Sequence, residues 1–423
     1  MAATDGLDQR VRDRRPLYAL LVAGVVSQSG NQMLHLAIPW FVLQTTGSVT
    51  KTGITAFFSL LPTVLAGVFG GPLVDKLGFK RTSLLADLLS GASVALIPLL
   101  HGTIGLEFWQ LLALVFAGAL LDAPGVTARY SLLPMIAGRA GISTVRATSL
   151  QDAVSRSSTL IGPPIAGVLI ATIGTANVLW VDAATFLVSI ALVALVVPSE
   201  KVTRTPEQEL PYLESLKEGL AFVFRDRLLL VVILSVTVTN ILDAVIGMVI
   251  LPAYFNRIYG SAVGLGLVFG AFGGGALTGA LAYGAIGHRF SRRWVFVIAF
   301  LLVALRAFPF IPVPPLFLLV AAMFVFGIGS GPLNPILGLA ELGRTPEHMR
   351  GRVLGAIQAI AWGAMPLGVL AGGFLVAGIS IRPALGLTGG LYVLVALSLI
   401  FNPGVKDLDN LTDPAAEIDT PPR

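Results

Sequence analysis

The stretch IPWFVLQTTGSVTKTG, from Ile38 to Gly53, has a counterpart in LPAYFNRIYGSAVGLG, from Leu251 to Gly266. Ile38-Pro39, Gly47-Ser48 and Gly53 match Leu251-Pro252, Gly260-Ser261 and Gly266, every pair 213 residues apart. Each copy leaves one apolar block, crosses a short break and enters the next, so one helix-loop-helix is written twice. A second register, 206 residues apart, joins Arg146, Gly162 and Gly167-Val168-Leu169 to Arg352, Gly368 and Gly373-Phe374-Leu375. Repeats of this kind predict two parallel halves with a site between them near a membrane midplane.

Working outward from the repeat, apolar residues gather near 17–43, 52–74, 82–100, 107–133, 144–171, 176–197, 228–255, 263–285, 294–311, 315–340, 351–378 and 383–402. Blocks of about 18 to 27 residues can cross roughly 30 Å of hydrocarbon as helices. They must be helices, because irregular backbone facing lipid would leave its amides unpaired. Composition agrees: of 423 residues 55% are hydrophobic and 12% charged, about half the charged share of a soluble domain. The expected fold is an all-α membrane protein of twelve transmembrane helices in two pseudo-symmetric six-helix bundles. The bundles span 17–197 and 228–402, joined by a polar linker, 198–227, that contains Glu207, Glu209, Glu214, Lys217 and Glu218. Residues 1–16 and 403–423 are the flanking segments.

Lys and Arg accumulate on the cytoplasmic side of a bilayer. Of the 28 here, 22 fall in the N-terminal segment, the loops after even-numbered blocks and the C-terminal segment, whereas Lys51, Arg257 and Arg382 fall in the opposite loops. Both ends are therefore expected in the cytoplasm, in a multi-pass inner-membrane protein. The first block follows Arg10, Arg12, Arg14 and Arg15 and is far longer than the apolar core of a cleavable signal, so it reads as a retained span. The net charge of +5 is dispersed through short loops, which argues against nucleic-acid binding. There is no cysteine, hence no disulfide framework or thiolate metal site. No Gly-x-x-x-x-Gly-Lys-Ser/Thr loop occurs to hold ATP. Gly264, Gly266, Gly270, Gly273, Gly274, Gly275 and Gly279 lie inside one apolar block and read as a helix-packing seam, not a dinucleotide loop. Asn410-Leu411-Thr412 fits a glycosylation pattern but falls in the cytoplasmic tail. No cofactor, metal or enzymatic chemistry is expected.

After the second block comes GPLVDKLGFKR, Gly71 to Arg81, with one acid, two glycines and a basic end. It resembles the signature loop of the major facilitator superfamily in Gly71, Leu73, Asp75, Gly78, Lys80 and Arg81, with Phe79 where a basic residue is common. The resemblance implies a cytoplasmic gate in which Asp75 meets the N-terminus of the eleventh helix, near Arg350 to Arg352, where unpaired amides favour an anion. A solvated turn is the plainer reading. The equivalent loop of the second half, Gly287 to Arg293, keeps the charge but lacks the acid.

In the fifth block Ser149, Ser158, Gly162-Pro163 and Gly167 stand at the spacing of the family's antiporter motif, with some of its glycines replaced by Ser or Ala. In the family this motif accompanies exporters, and an ordinary small-residue packing seam is the alternative. The stretches Arg146-Ala147-Thr148-Ser149 and Gly351-Arg352-Val353-Leu354-Gly355 look most like the branch that holds macrolide, tetracycline-type and enterobactin exporters. The resemblance runs from about Tyr18 to Asn402.

A carboxylate near the bilayer centre costs at least about 2.5–3.5 kcal/mol, so each needs a reason. Asp243 lies halfway along the seventh block, with Asn240 on the same face and no basic residue within a turn or two; Asp122 lies in the fourth. The resemblance places the first, fourth, seventh and tenth helices around the cavity. Both acids are thus proton-coupling candidates, with a structural hydrogen bond as the alternative for each. Gln28, Asn31, Gln32 and His35 form a polar stripe on the first helix, answered by Ser330 and Asn334 on the tenth. These suit a neutral or weakly charged ligand. Asp152 and Arg156, four apart, read as an intramembrane ion pair or as an element of conformational coupling. Asp87 and Asp182 read as interfacial.

The expectation is a monomeric secondary antiporter that exports amphipathic, drug-like molecules by alternating access as protons enter, with lipids as its surroundings. A siderophore or metabolite exporter, a lipid transporter and a non-transporting receptor are the competing readings.

Overall fold

The computed structural model describes residues 13–199 and 212–411, except for the side chains of 67–76, 212 and 213. Arg10, Arg12, Glu207, Glu209 and Thr412, and the side chain of the expected gate acid Asp75, lie outside the described residues, as does Gly71 apart from its helical backbone.

Long helices account for most of the described chain. They are α1 (Arg15–Thr46), α2 (Val49–Leu77), α3 (Phe79–Thr103), α4 (Phe108–Ala140), α5 (Thr144–Ile173), α6 (Thr175–Val196) and the short α7 (Tyr212–Arg225). Then follow the helical runs α8 (Arg227–Tyr259), α9 (Ala262–Ile286), α10 (Arg292–Leu305), α11 (Leu316–Arg344), α12 (Glu347–Ile379) and α13 (Ile381–Phe401). Eleven described helical runs are long and apolar enough to cross a membrane; α1, 32 residues long and carrying the polar stripe, is the twelfth long helix.

One local expectation is corrected. The signature stretch is not a loop: α2 continues to Leu77 and α3 begins at Phe79, leaving Gly78 alone between them. Gly78 has φ 82°, a left-handed conformation that costs glycine nothing and lets the chain reverse on one residue. The linker, in turn, contains a helix. Leu216, Leu220 and Val223 in α7 share one face at helical spacing, and Val223 is buried with Leu229, Ile233, Val353 and Ile357. Glu214, Lys217, Glu218 and Arg225 lie off that face; of these Glu218 pairs with Arg352 at 2.6 Å.

The repeat is realised in backbone geometry. Gly47 and Gly260 both end a helix with positive φ, 64° and 60°, in the manner of a left-handed C-cap. The serine after each accepts a backbone N–H three residues on: Ser48 Oγ from Lys51 at 3.2 Å and Ser261 Oγ from Gly264 at 3.0 Å. These N-caps start α2 and α9.

The chain groups into two compact units. The first takes the described residues of Met1–Leu34, Leu61–Gly162 and Ile173–Arg204. Its core includes Leu20, Leu132, Leu133, Ile136 and Val193, from α1, α4 and α6. The second takes His35–Leu60, Pro163–Thr172 and the described residues of Thr205–Arg423. Its core includes Leu228, Phe296, Phe300, Tyr392 and Leu399, covered by Val405 and Leu408 of the 3-10 segment Pro403–Asn410.

Within the second unit the repeated glycines touch crosswise. A Cβ placed on Gly53 would stand 2.6 Å from the Gly373 Cα and 2.9 Å from the Val369 carbonyl oxygen. One placed on Gly266 would stand 2.6 Å from the Pro163 carbonyl oxygen and 3.3 Å from the Gly167 Cα. Under the two sequence registers Gly53 corresponds to Gly266, Gly373 to Gly167 and Val369 to Pro163, so the α2–α12 and α5–α9 seams are one contact built twice. The glycine-rich face of α9 also packs tightly on α11: a Cβ on Gly275 or Gly279 would run into the Phe324 or Ile328 carbonyl oxygen. That is helix packing through small residues.

Candidate functional site

In the first unit the charges of α3, α4 and α6 meet in the interior. Arg129 Nη1 donates to Asp87 Oδ1 at 2.7 Å, and Ser189 Oγ donates to Asp87 Oδ2 at 2.7 Å. Arg129 Nη2 lies 3.9 Å from Asp122 Oδ1, whose partner oxygen accepts from Asn31 Nδ2 at 3.0 Å. Asp87 and Asp182 are completely buried and Arg129 is 2% exposed, so the interfacial reading of Asp87 and Asp182 is corrected. Of the four, Asp122 and Arg129 are foreshadowed by sequence: seven residues apart, they share one face of α4. Nothing along α3 or α6 announces that Asp87 and Asp182 have interior neighbours.

In the second unit Asp243 of α8 is paired with Arg306, the residue that caps the end of α10. This corrects the expectation of an acid without a cation, which considered only its own helix. The Arg306 guanidinium also stacks over Phe272 at 5.1 Å and Tyr392 at 5.7 Å. Three residues past Asp243, α8 loosens into a π-helical turn, Ile246–Ile250, where the nitrogen of Pro252 cannot donate to the preceding turn. Asn240 Nδ2 donates to the Ala361 carbonyl at 3.1 Å, tying α8 to α12.

The polar stripe of α1 is divided between tasks. Asn31 serves Asp122, and Gln32 donates to Thr159 of α5 at 3.2 Å. Gln28 is half-buried and His35 is exposed. Ser330 donates to the Gly327 carbonyl of its own helix at 2.8 Å, and Asn334 is exposed.

Small residues of the antiporter-like motif seat α5 on its neighbours. Ser158 hydrogen-bonds with Ser29 at 3.2 Å, and a Cβ on Gly162 would stand 2.5 Å from Gln32 Cβ, both contacts with α1. Gly167, one turn past Pro163, meets α9 in the second unit. Ser149 donates to the Val145 carbonyl of its own helix.

The expected Asp152–Arg156 ion pair does not form. Both side chains are exposed, and Asp152 Oδ1 accepts instead from Tyr130 Oη at 3.1 Å. A spacing of four allows contact on a helix face, but a phenol on α4 competes for the carboxylate. Of the gate residues, Lys80 Nζ donates to the Ala194 and Val197 carbonyls at 2.9 and 2.5 Å, a cation at the C-terminal end of α6. Arg81 is exposed, and Arg352 pairs with Glu218. Among the described residues no group of three or more His, Asp and Glu side chains could hold a metal ion.

Repeated helical units, apolar spans and a few interior charges held in pairs define a membrane transporter that works by alternating access. Comparison with known proteins agrees. The family model described as "Transmembrane secretion effector" matches residues 14–422, and the chain belongs to this family of the major facilitator superfamily. The Multidrug efflux pump Tap of Mycolicibacterium fortuitum is 33% identical over 409 residues, covering 95% of this chain and 99% of the relative. Macrolide efflux protein A of Streptococcus pyogenes is 21% identical, covering 93% and 97%. Among solved structures, the nucleoside transporter NupG covers 91% of this chain and 98% of its own at a TM-score of 0.72 and 13% identity. A bacterial homologue of the iron transporter ferroportin in an inward-facing state does so over 91% and 98%, at a TM-score of 0.67 and 16% identity. These two likenesses concern the fold. The protein is a multi-pass membrane protein that carries out secondary active transport of small molecules.

Proposed function

We propose that the protein exports amphipathic, drug-like molecules from the cell in exchange for protons. The observation that carries this reading is that each sequence half sets a membrane-embedded carboxylate against an arginine, Asp122 near Arg129 and Asp243 on Arg306. A carboxylate that exchanges a proton for an arginine contact converts proton binding into a change of helix packing, which antiport requires. The efflux names of the relatives and the small-residue motif of α5 support the outward direction. At 100 mV one inward proton supplies about 2.3 kcal/mol before any pH gradient is added.

In the orientation implied by the Lys and Arg distribution, both ends face the cytoplasm and the α1–α2 and α8–α9 turns face outward, in the inner membrane. The crossed glycine seams and the hydrogen bond from Arg257 Nη2 to the Gly47 carbonyl, 2.7 Å, then act as an outer closure. Asp75 remains the proposed cytoplasmic gate acid by resemblance, and the two six-helix bundles, 17–197 and 228–402, the rocking bodies. Gln28, His35 and Asn334 are the proposed substrate contacts.

The test is accumulation in whole cells of lipophilic cations, macrolides and catecholate siderophores, with and without an uncoupler. Expression should lower accumulation of at least one amphipathic drug, and the uncoupler should abolish the effect. Drug levels independent of expression would reject the reading, and selective loss of siderophore would move it to the metabolite-exporter alternative.

A further inference from the structure

We propose that Asp182 is a proton-binding carboxylate of the transport cycle, a role that rests on the proton-driven reading above. Asp182 lies in the first half of α6, is completely buried, and has one hydrogen-bonding neighbour, Thr185 Oγ1, 3.3 Å from Oδ1 on the same helix. Its other oxygen, Oδ2, is buried with no hydrogen-bond partner among the described residues. The α1 backbone presses on this carboxyl: a Cβ at Gly30 would run into Asp182 Oδ1 and Thr185 Oγ1.

Among the described residues the surrounding charges leave Asp182 without a counterion. From α3, Asp87 is occupied by Arg129 and Ser189. From α4, Arg129 is committed to Asp87 at 2.7 Å and reaches Asp122 at 3.9 Å. From α1, Gly30 offers no side chain, and Asn31 turns to Asp122. Among the described residues no basic side chain forms an ion pair with Asp182, and Asp122, which acts on it electrostatically, carries the same charge. Three interior carboxylates thus share one guanidinium. Ionising all three would leave two uncompensated negative charges inside the bilayer, which the membrane interior opposes strongly. The carboxyl farthest from the cation, with an oxygen that meets no donor, is where a proton satisfies the site.

Loading forms an O–H bond on Asp182 with a proton from water and removes one negative charge; release reverses both, and no other reactant takes part. Gly30 and Asn31, adjacent in α1, touch Asp182 and Asp122 respectively. A shift of α1 therefore changes the surroundings of both acids together, which links the proton to helix motion.

Infrared spectroscopy of the purified full-length protein, titrated from acidic to alkaline pH, tests this without any substrate. Wild type should show the carbonyl stretch of a protonated carboxylic acid in an apolar site. Asp182→Asn should lose a component of that band which Asp122→Asn and Asp243→Asn keep. A band undiminished in Asp182→Asn overturns the proposal. Thr185→Val, which removes the hydroxyl beside Oδ1 and leaves the charge in place, should shift the band, and an unshifted band also overturns it. In proteoliposomes with an imposed pH gradient, ethidium accumulation by Asp182→Asn should fall at least tenfold relative to wild type; accumulation within twofold of wild type overturns the transport role. Wild-type vesicles that move no ethidium and no other drug would count against the efflux reading, while the infrared outcome decides the proton site by itself.

Discussion

Arg129 of α4 and Asp87 of α3 form an ion pair 2.7 Å long with 2% and 0% of their side chains exposed. A pair this deep is weak evidence of net stabilisation, but breaking it strands a charge in the interior. Arg129→Met should cost about 3–5 kcal/mol and should lower the yield of folded protein sharply. Combining it with Asp87→Leu should recover part of the loss. Thermal unfolding of the purified variants gives the comparison; equal losses in the single and double variants would contradict the pairing.

The Asp243–Arg306 pair should behave asymmetrically. Asp243→Asn leaves Arg306 over two aromatic faces, Phe272 and Tyr392, each able to hold a desolvated cation with about 1–2 kcal/mol. Arg306→Met leaves Asp243 only a proton to take in place of the guanidinium, so its penalty grows as the pH rises. The arginine variant is therefore expected to be the less stable of the two, by at least about 1 kcal/mol, in the same unfolding assay.

The crossed seams yield a steric prediction with an internal control. Gly53→Leu drives a side chain into the α12 backbone, whereas Gly378→Leu, on α12 itself, meets open space because no atom lies within 4 Å of its Cβ position. Transport by Gly53→Leu should fall at least about tenfold while that of Gly378→Leu stays near wild type, since backbone cannot move aside as a side-chain tip can. Comparable rates for the two variants in proteoliposomes would show that the seam plays no part in turnover.

Because Asp152 is held by Tyr130 and not by Arg156, Arg156→Ala should change stability by less than about 0.5 kcal/mol. Tyr130→Phe should cost about 0.5–1.5 kcal/mol, the usual net value of one hydrogen bond. A double-mutant cycle on Asp152 and Arg156 should show no coupling, and a cycle on Asp152 and Tyr130 should show some.

The fold was largely legible because membrane crossing is a one-dimensional constraint: block length and charge punctuation can be read directly along a chain. The 213-residue register reaches further, since it anticipates the matching turns at Gly47 and Gly260. What failed was partner assignment. Asp243 has no basic residue within reach on its own helix, and Arg306, 63 residues away, is brought to it only by the fold. Asp87 and Asp182 sit near helix ends in the sequence, but depth along a helix says nothing of what the next helix brings. The linker helix is masked by its high charge until Leu216, Leu220 and Val223 are aligned at helical spacing.

The glycine seams between α2 and α12 and between α5 and α9 consist of backbone against backbone. The glycine contacts themselves are close backbone packing, so area-dependent dispersion is a large part of their resistance to parting. A joint of that kind responds to whatever alters the lateral squeeze on the bundle. Turnover should consequently quicken or slow with acyl-chain length and with bilayer tension, making the surrounding lipid a determinant of transport rate even where it touches no substrate.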